Sequence, residues 1–216
     1  GRRNRTNCYN TVRGTLGPLT QANVQGFELF LSEGERRNTP TNWLAEILGT
    51  VWWETGKTMQ PVREAFFISP DFEKAEAWRK RNLRYYPYYG RAYVQFTWEA
   101  NYKKASERWN TVYRKTNEPL VDFAKNPDLI LLPKYGVPLT FDGMELGWFT
   151  GKKLDDFIDD VDEDDKEDLR EFANSRRVVN GTDKAAEIGK LALAMEKGLK
   201  AGGYGVRDAH VPPVAP

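Results

Sequence analysis

Glu54 and Glu64 are the residues of this chain whose type and setting best suit acid–base chemistry. Glu54 falls on the stripe Leu44, Ile47, Leu48, Val51 and Glu54, the spacing of one helix face. The expectation is a carboxyl facing the core, where burial disfavours charge and keeps the proton that a general acid delivers. Glu64 follows a stretch whose Gly56 and Pro61 break the helix, and Arg63 stands beside it to hold a carboxylate ionised. Two carboxyls in opposite settings suit an acid and a base. Taken alone, the same pair also reads as a helix-end residue reaching solvent and a loop charge.

Composition removes several rivals. At 216 residues the chain fills one well-packed domain, with or without a small lobe. Its 32 basic and 31 acidic residues leave a net charge of +1, so no overall field favours nucleic acid or an anionic membrane. Cys8 is the only cysteine and His210 the only histidine, which excludes an intrachain disulfide, a Cys/His zinc site and a histidine-based triad. The lone cysteine fits synthesis in a reducing compartment. No apolar run approaches a membrane span, and no charged-then-hydrophobic leader opens the chain. Carboxylates remain as the acid–base groups.

The elements that must hold these groups are legible in order. Residues 1–19 are polar and basic, with Gly14 and Gly17-Pro18, and are expected to form an arm outside the core. Thr20 caps a helix to about Glu33 with Val24, Phe27, Phe30 and Leu31 inward. A second helix, carrying Glu54, starts at Thr39-Pro40 or Thr41 and ends near Gly56. A short helix follows from Pro70-Asp71 to about Lys80. Tyr85, Tyr86, Tyr88 and Tyr89 then lead into Arg91–Thr97, whose β-formers predict a short strand or hairpin beside a cleft. These tyrosines either stack on sugars or pack a small lobe. With Arg79, Lys80, Arg81 and Arg84 they also mimic a single-strand nucleic-acid platform, which the balanced charge disfavours.

Further on, a helix is expected from Trp98 to about Arg114, with Tyr102, Ala105 and Trp109 on one face. Asn126-Pro127-Asp128 breaks the chain, and Gly143–Phe149 reads as a buried helix ending at Thr150-Gly151. Thr182 or Asn180 caps a last helix with Ala185, Ile188, Leu191, Ala192, Met195 and Leu199 on its stripe, ended by Gly202-Gly203. The sum is an α+β fold, mostly helical, with one small β element: a domain over 20–203 between the basic arm and a Pro-rich tail, 204–216. In the acidic run from Asp155 to Asp168, Asp160, Asp162, Asp164, Asp168 and Glu171 match ligand positions of a calcium loop. Asp165 stands where that loop needs glycine, and Glu167 where it needs an apolar anchor. A solvated acidic segment without a metal is the expectation.

Trp53-Glu54-Thr55-Gly56, Arg63-Glu64, Tyr89-Gly90-Arg91-Ala92-Tyr93-Val94-Gln95-Phe96-Thr97, Asn101-Tyr102, Asn126-Pro127-Asp128 and Asn180-Gly181 follow one another in a telling order. Together they resemble the family 19 glycoside hydrolases, the plant-type chitinases and phage endolysins of the lysozyme-like superfamily. Gly143-Met144 and Phe149–Leu154 are similar to phage and bacterial members, and the likeness spans roughly residues 20–200. It implies a lysozyme-like fold with Glu54 as general acid and Glu64 as general base. It further implies that Thr97 helps hold the attacking water, with Asn101 nearby. Gln95, Tyr102 and Asn180 would line the sugar cleft, joined by Arg91 and Tyr89. Gln95 and Asn101 also read as satisfied hairpin groups, Arg91 as an ion-pair residue, and Glu73 and Glu76 as rival bases.

Three residues depart from the family pattern: Trp53 for histidine, Lys57 for the second glycine after the first glutamate, and Ala92 for the second glycine of the strand. None removes a carboxylate. The resemblance implies hydrolysis of β-1,4 bonds in peptidoglycan, with chitin, or glycan binding without turnover by a virion or envelope protein, as alternatives. It calls for no cofactor, no nucleic-acid partner, no stable membrane insertion and a monomer. The implied setting is synthesis in the cytoplasm of a bacterial host and action on the cell wall or periplasm, with virion association open.

Overall fold

The computed structural model describes residues 4–149 and 185–205. Over these residues the fold is mostly helical with a small two-stranded antiparallel sheet, in line with the α+β class expected. Helix α1 spans Arg5–Leu16, α2 Gln21–Arg37, α3 Thr41–Glu54, α4 Phe72–Asn82, α5 Glu99–Arg108, α6 Pro133–Leu146 and α7 Ala185–Ala201. The sheet pairs β1, Val62–Arg63, with β2, Arg91–Ala92, in the register Val62 to Ala92 and Arg63 to Arg91. Beyond β2 the expected Arg91–Thr97 strand shrinks to a tight loop closed by an Arg91–Phe96 bridge.

Helix α2 starts where its cap demands. The Thr20 hydroxyl accepts from the Asn23 N–H, and the Asn23 side chain accepts from the Thr20 N–H, so two orphan donors are satisfied reciprocally. The helix runs a turn past the expected end, to Asn38 in the left-handed conformation. Helix α3 is the axis of the core. Its Leu44, Ile47, Leu48 and Val51 are buried, each worth roughly 1.5–3 kcal/mol on leaving water. Gly49 lets it approach α7: a Cβ there would meet the Ala192 backbone nitrogen at 2.9 Å.

Other expectations give way too. The segment 1–19 is expected outside the core, yet Arg5–Leu16 is a helix that buries Cys8 and Val12 against α7 and Tyr9 against Phe27 of α2. Asn4 caps it by accepting from the Asn7 N–H, and Arg5 pairs with Glu28 and Glu35 of α2. Its apolar stripe is short, so the packing rather than the periodicity decides it. The helix expected over Gly143–Phe149 instead begins at Pro133, a good first-turn residue, and ends at left-handed Gly147. Pro138 lies inside it, which hides the pattern from sequence reading.

The expected helix from Trp98 ends early as α5, and Trp109–Tyr113 continue it as a π-helical turn. Arg37 of α2 reaches across to Asp142 of α6 at 2.7 Å, and the Tyr113 hydroxyl donates to the same carboxylate at 2.7 Å. This buried cluster ties α2, the π turn and α6 into one body. Among the described residues no helix is long and apolar enough to cross a membrane. The acidic run Asp155–Asp168, Asn180, Thr182 and the tail Val211–Pro216 lie outside the described residues.

Candidate functional site

Glu54 is the last residue of α3 and is half-buried. The more deeply buried carboxyl of that helix is Glu46, fully inaccessible and accepting from the Thr50 hydroxyl at 3.2 Å. Because α3 is buried on most of its circumference, the face carrying Glu54 is not its only buried face.

After Glu54 the chain turns sharply, and α2 holds the turn. The buried Thr55 hydroxyl donates to the Val51 carbonyl at 2.7 Å and accepts from the Met59 N–H at 3.0 Å. The Asn23 side-chain amide donates to the carbonyls of Lys57 and Thr58, at 2.9 and 3.0 Å. Gly26 is indispensable to this seat, since a Cβ there would lie 2.1 Å from the Met59 carbonyl oxygen.

Glu64 directly follows β1 and is fixed from the β2 side. Its own N–H donates to the Gly90 carbonyl at 2.7 Å, and the Gly90 N–H donates to its Oε1 at 2.8 Å. The Tyr85 hydroxyl donates to Oε2 at 2.5 Å, and the Arg79 Nε donates to the Glu64 carbonyl at 2.7 Å. One donor on each carboxylate oxygen leaves further lone pairs for a water. Burial and the bond to Glu64 push the Tyr85 phenol above its ordinary value, so it stays a donor at neutral pH.

Arg63 does not partner Glu64 as expected. Successive strand residues face opposite ways, and the Arg63 guanidinium pairs with Asp128 at 3.2 Å while covering the Phe72 ring at 4.8 Å. Burial alone would push the Asp128 carboxyl up, but Arg63 and Arg91 outweigh it and hold it below the usual carboxylate range. Of the rival bases, Glu76 is occupied by Arg79 at 3.1 Å and the Tyr86 hydroxyl at 3.0 Å, while Glu73 is exposed in the first turn of α4.

The residues expected to touch sugar divide into two groups. Tyr89 and Tyr102, expected to line the cleft, are fully buried, and Arg91 is nearly so. Arg91 Nε pairs with Asp128 at 2.8 Å, its Nη1 donates to the Pro87 carbonyl at 2.8 Å, and its guanidinium lies 3.8 Å from the Tyr89 ring centre. The Tyr102 hydroxyl donates to the Tyr89 carbonyl at 2.6 Å. These three support the loop between Tyr85 and Gly90 from beneath. Burial carries the Tyr89 phenol up to about 12, with Arg91 opposing. Of the cations beside the tyrosines, Arg79 is buried against Tyr89, while Lys80, Arg81 and Arg84 are exposed.

Gln95, Thr97 and Asn101 are half-buried beside this loop. The Thr97 hydroxyl donates to the Gln95 carbonyl at 2.9 Å, and the Asn101 amide donates to the Thr97 carbonyl at 3.1 Å. The Gln95 amide nitrogen is buried without a hydrogen-bond partner. Such an orphan donor costs about 1–3 kcal/mol.

Backbone strain concentrates in the same place. Among the described residues seven non-glycines have positive φ, and all but Asn38 lie between Lys57 and Trp98. Each such residue costs on the order of 1–3 kcal/mol, and strain of this kind clusters at functional sites. Sequence reading missed Tyr85 and the Gly90 N–H as the groups that hold Glu64. The tyrosine cluster was the only signal for the first, and the second is a backbone group that no residue type announces.

Among the described residues no group of three or more His, Cys, Asp or Glu side chains is placed to hold a metal ion. Compared with known proteins, the chain matches no protein-family model, no curated protein and no solved structure.

Proposed function

We propose that this chain is a glycoside hydrolase of lysozyme-like fold that cleaves β-1,4 bonds between the N-acetylated sugars of peptidoglycan. The observation that carries the proposal is the backbone at two departures from the resembled family. Lys57 and Ala92 stand where that family has glycine, and their φ values are +68° and +76°. Glycine alone takes that conformation freely, so the family's glycines and this backbone meet the same local demand. The orphaned Gln95 amide and the doubly held Glu64 carboxylate support the same reading.

In the proposed reaction Glu54 delivers its proton to the glycosidic oxygen as the bond from that oxygen to the anomeric carbon breaks. Glu54 closes α3 and is half-buried, and the turn that α2 holds begins directly after it. A water attacks the anomeric carbon from the opposite ring face, and Glu64 accepts its proton. Thr97 and Asn101 orient that water, and the product emerges inverted. Glu54→Gln and Glu64→Gln should each lower turnover by about 10²-fold or more without unfolding the protein. Wild-type lysis by a folded Glu54→Gln protein would sink the assignment; a worse lesion at Glu73 or Glu76 would move the base. Proton NMR of the first product from a soluble N-acetylglucosamine oligomer should show the α anomer.

A second reading is glycan binding without turnover, as in a virion or envelope protein. It is favoured by Trp53 in place of histidine beside Glu54. A turbidity assay on permeabilised bacteria separates the two, since binding without released reducing ends supports the second. Muropeptide analysis distinguishes peptidoglycan from chitin as substrate.

A further inference from the structure

The residues immediately after Glu64 present apolar surface to solvent rather than burying it. Ala65 stands in the left-handed conformation, with φ +62°, and starts a single 3-10 turn, Phe66–Ile68. Phe67 is 77 % exposed, with Phe66 at 41 % and Ile68 at 39 %. An exposed leucine or phenylalanine standing singly is ordinary, but three in succession on one turn are not. The turn is anchored rather than loose. The Phe66 ring leans on Gly56, where a Cβ would come within 2.9 Å of its Cζ, and the Phe67 ring meets it edge-on at 6.0 Å. One end of the ridge therefore stands two residues beyond Glu54 and the other two residues beyond Glu64.

We infer that Phe66 and Phe67 form the apolar wall of the glycan site, with Phe67 stacking on the carbon-bound hydrogens of one pyranose ring. This rests on the glycan reading above. A pyranose offers a flat face of C–H groups without charge, and an aromatic ring binds such a face while the hydroxyls at the rim keep their water. Its contact with Gly56 seats the Phe66 ring, and the Phe67 ring stands on that base edge-on, open to a ligand. A lipid surface is the other occupant an apolar ridge can take. The chain around it argues against one: residues 63–76 hold four carboxylates and two cations, and exposed Asp71 and Glu73 flank exposed Phe72, so an anionic bilayer would be repelled.

The test uses the full chain carrying Glu54→Gln, so that glycan is not consumed. Binding of an N-acetylglucosamine hexamer and, separately, of peptide-free peptidoglycan strands is measured by calorimetry, before and after adding Phe67→Ala or Phe67→Trp. The exposed position keeps both variants folded, which a melting curve verifies. Phe67→Ala should weaken binding about 3- to 10-fold, the loss of one ring contact, while Phe67→Trp binds at least as well as the parent. The two glycans report which polymer the wall accepts. Unchanged affinity in Phe67→Ala would overturn the wall while leaving the two-glutamate reading intact. No binding of either glycan by the parent would overturn both. Phe67-dependent binding to phosphatidylglycerol vesicles in place of glycan would reassign the ridge to a membrane.

Discussion

At Lys57 and Ala92 the same conformational penalty meets different surroundings, and magnitudes decide what removing it would do. A left-handed backbone costs a non-glycine residue about 1–2 kcal/mol, and glycine surrenders roughly 0.5–1 kcal/mol in the unfolded chain. Lys57 is exposed, so Lys57→Gly should stabilise by about 0.5–1 kcal/mol. The Ala92 methyl is fully buried, and losing it forfeits about 0.8 kcal/mol. Ala92→Gly should therefore be close to neutral. Urea titrations of both variants check the contrast; a gain at Ala92 as large as at Lys57 would show that its methyl is strained rather than packed. Glu64 illustrates the complementary point that a residue's role depends on the donors aimed at it. Tyr85→Phe removes one of two donors on that carboxylate and should lower turnover less than Glu64→Gln does.

Among the elements, α3 governs the site because Glu54 ends it and the turn held by α2 begins where it stops. Its position relative to α7 is set by the glycine contact at residue 49. A methyl there would stand 2.9 Å from the Ala192 nitrogen and 3.1 Å from its Cα, and backbone cannot swing aside as a side chain can. Gly49→Ala should cost about 1–3 kcal/mol, offset in part by the better helix propensity of alanine. Because relief requires α3 to move, turnover should fall more than the stability loss alone explains. Thermal melts and turnover measured well below the melting temperature separate the two effects, and full activity in a destabilised Gly49→Ala protein would show that α3 keeps its place. The sheet contributes little by itself, two residues per strand, but it is the register of Arg63 against Arg91 that brings Gly90 to Glu64.

For the molecule as a whole, tyrosine burial sets the alkaline limit of stability. Tyr9, Tyr85, Tyr89, Tyr93, Tyr102 and Tyr113 are all pushed above the ordinary phenol value of 10.0, with burial the leading cause in each. A group whose folded value is raised stabilises fully below its unfolded value and loses that contribution as pH climbs toward the folded one. Stability should hold to about pH 10 and fall steeply above it, with absorbance at 295 nm rising together with unfolding. Phenols that ionised freely before the fold melted would contradict their burial. On the acid side Asp128 acts in the opposite sense: its lowered value adds stability above the ordinary 3.8 that is lost as pH falls through the folded value. That carboxylate is 59 % exposed, so solvent screens the effect to a minor one.

Much of the helical frame was legible from local signals, because caps and stripes act within one or two turns. Thr20, the stripe of α3, Asp71 at the start of α4 and Gly202-Gly203 after α7 all speak through neighbours in sequence. The α+β class followed from them. What needed the tertiary structure were features whose energy comes from elsewhere in the chain. Helix α1 forms because α7 covers Cys8 and Val12, and α6 forms through Pro138 because its surroundings bury it. The site is of the same kind. Tyr85 meets Glu64 across 21 positions of sequence and Arg91 meets Asp128 across 37, so neither pairing leaves a period to read. The sequence by itself determined that carboxyls, with one histidine and one cysteine in the chain, were the acid–base groups at hand, and that a helix ends near Glu54; only folding decided that Tyr85 and Gly90, not Arg63, hold Glu64, because strand geometry turns adjacent side chains to opposite faces.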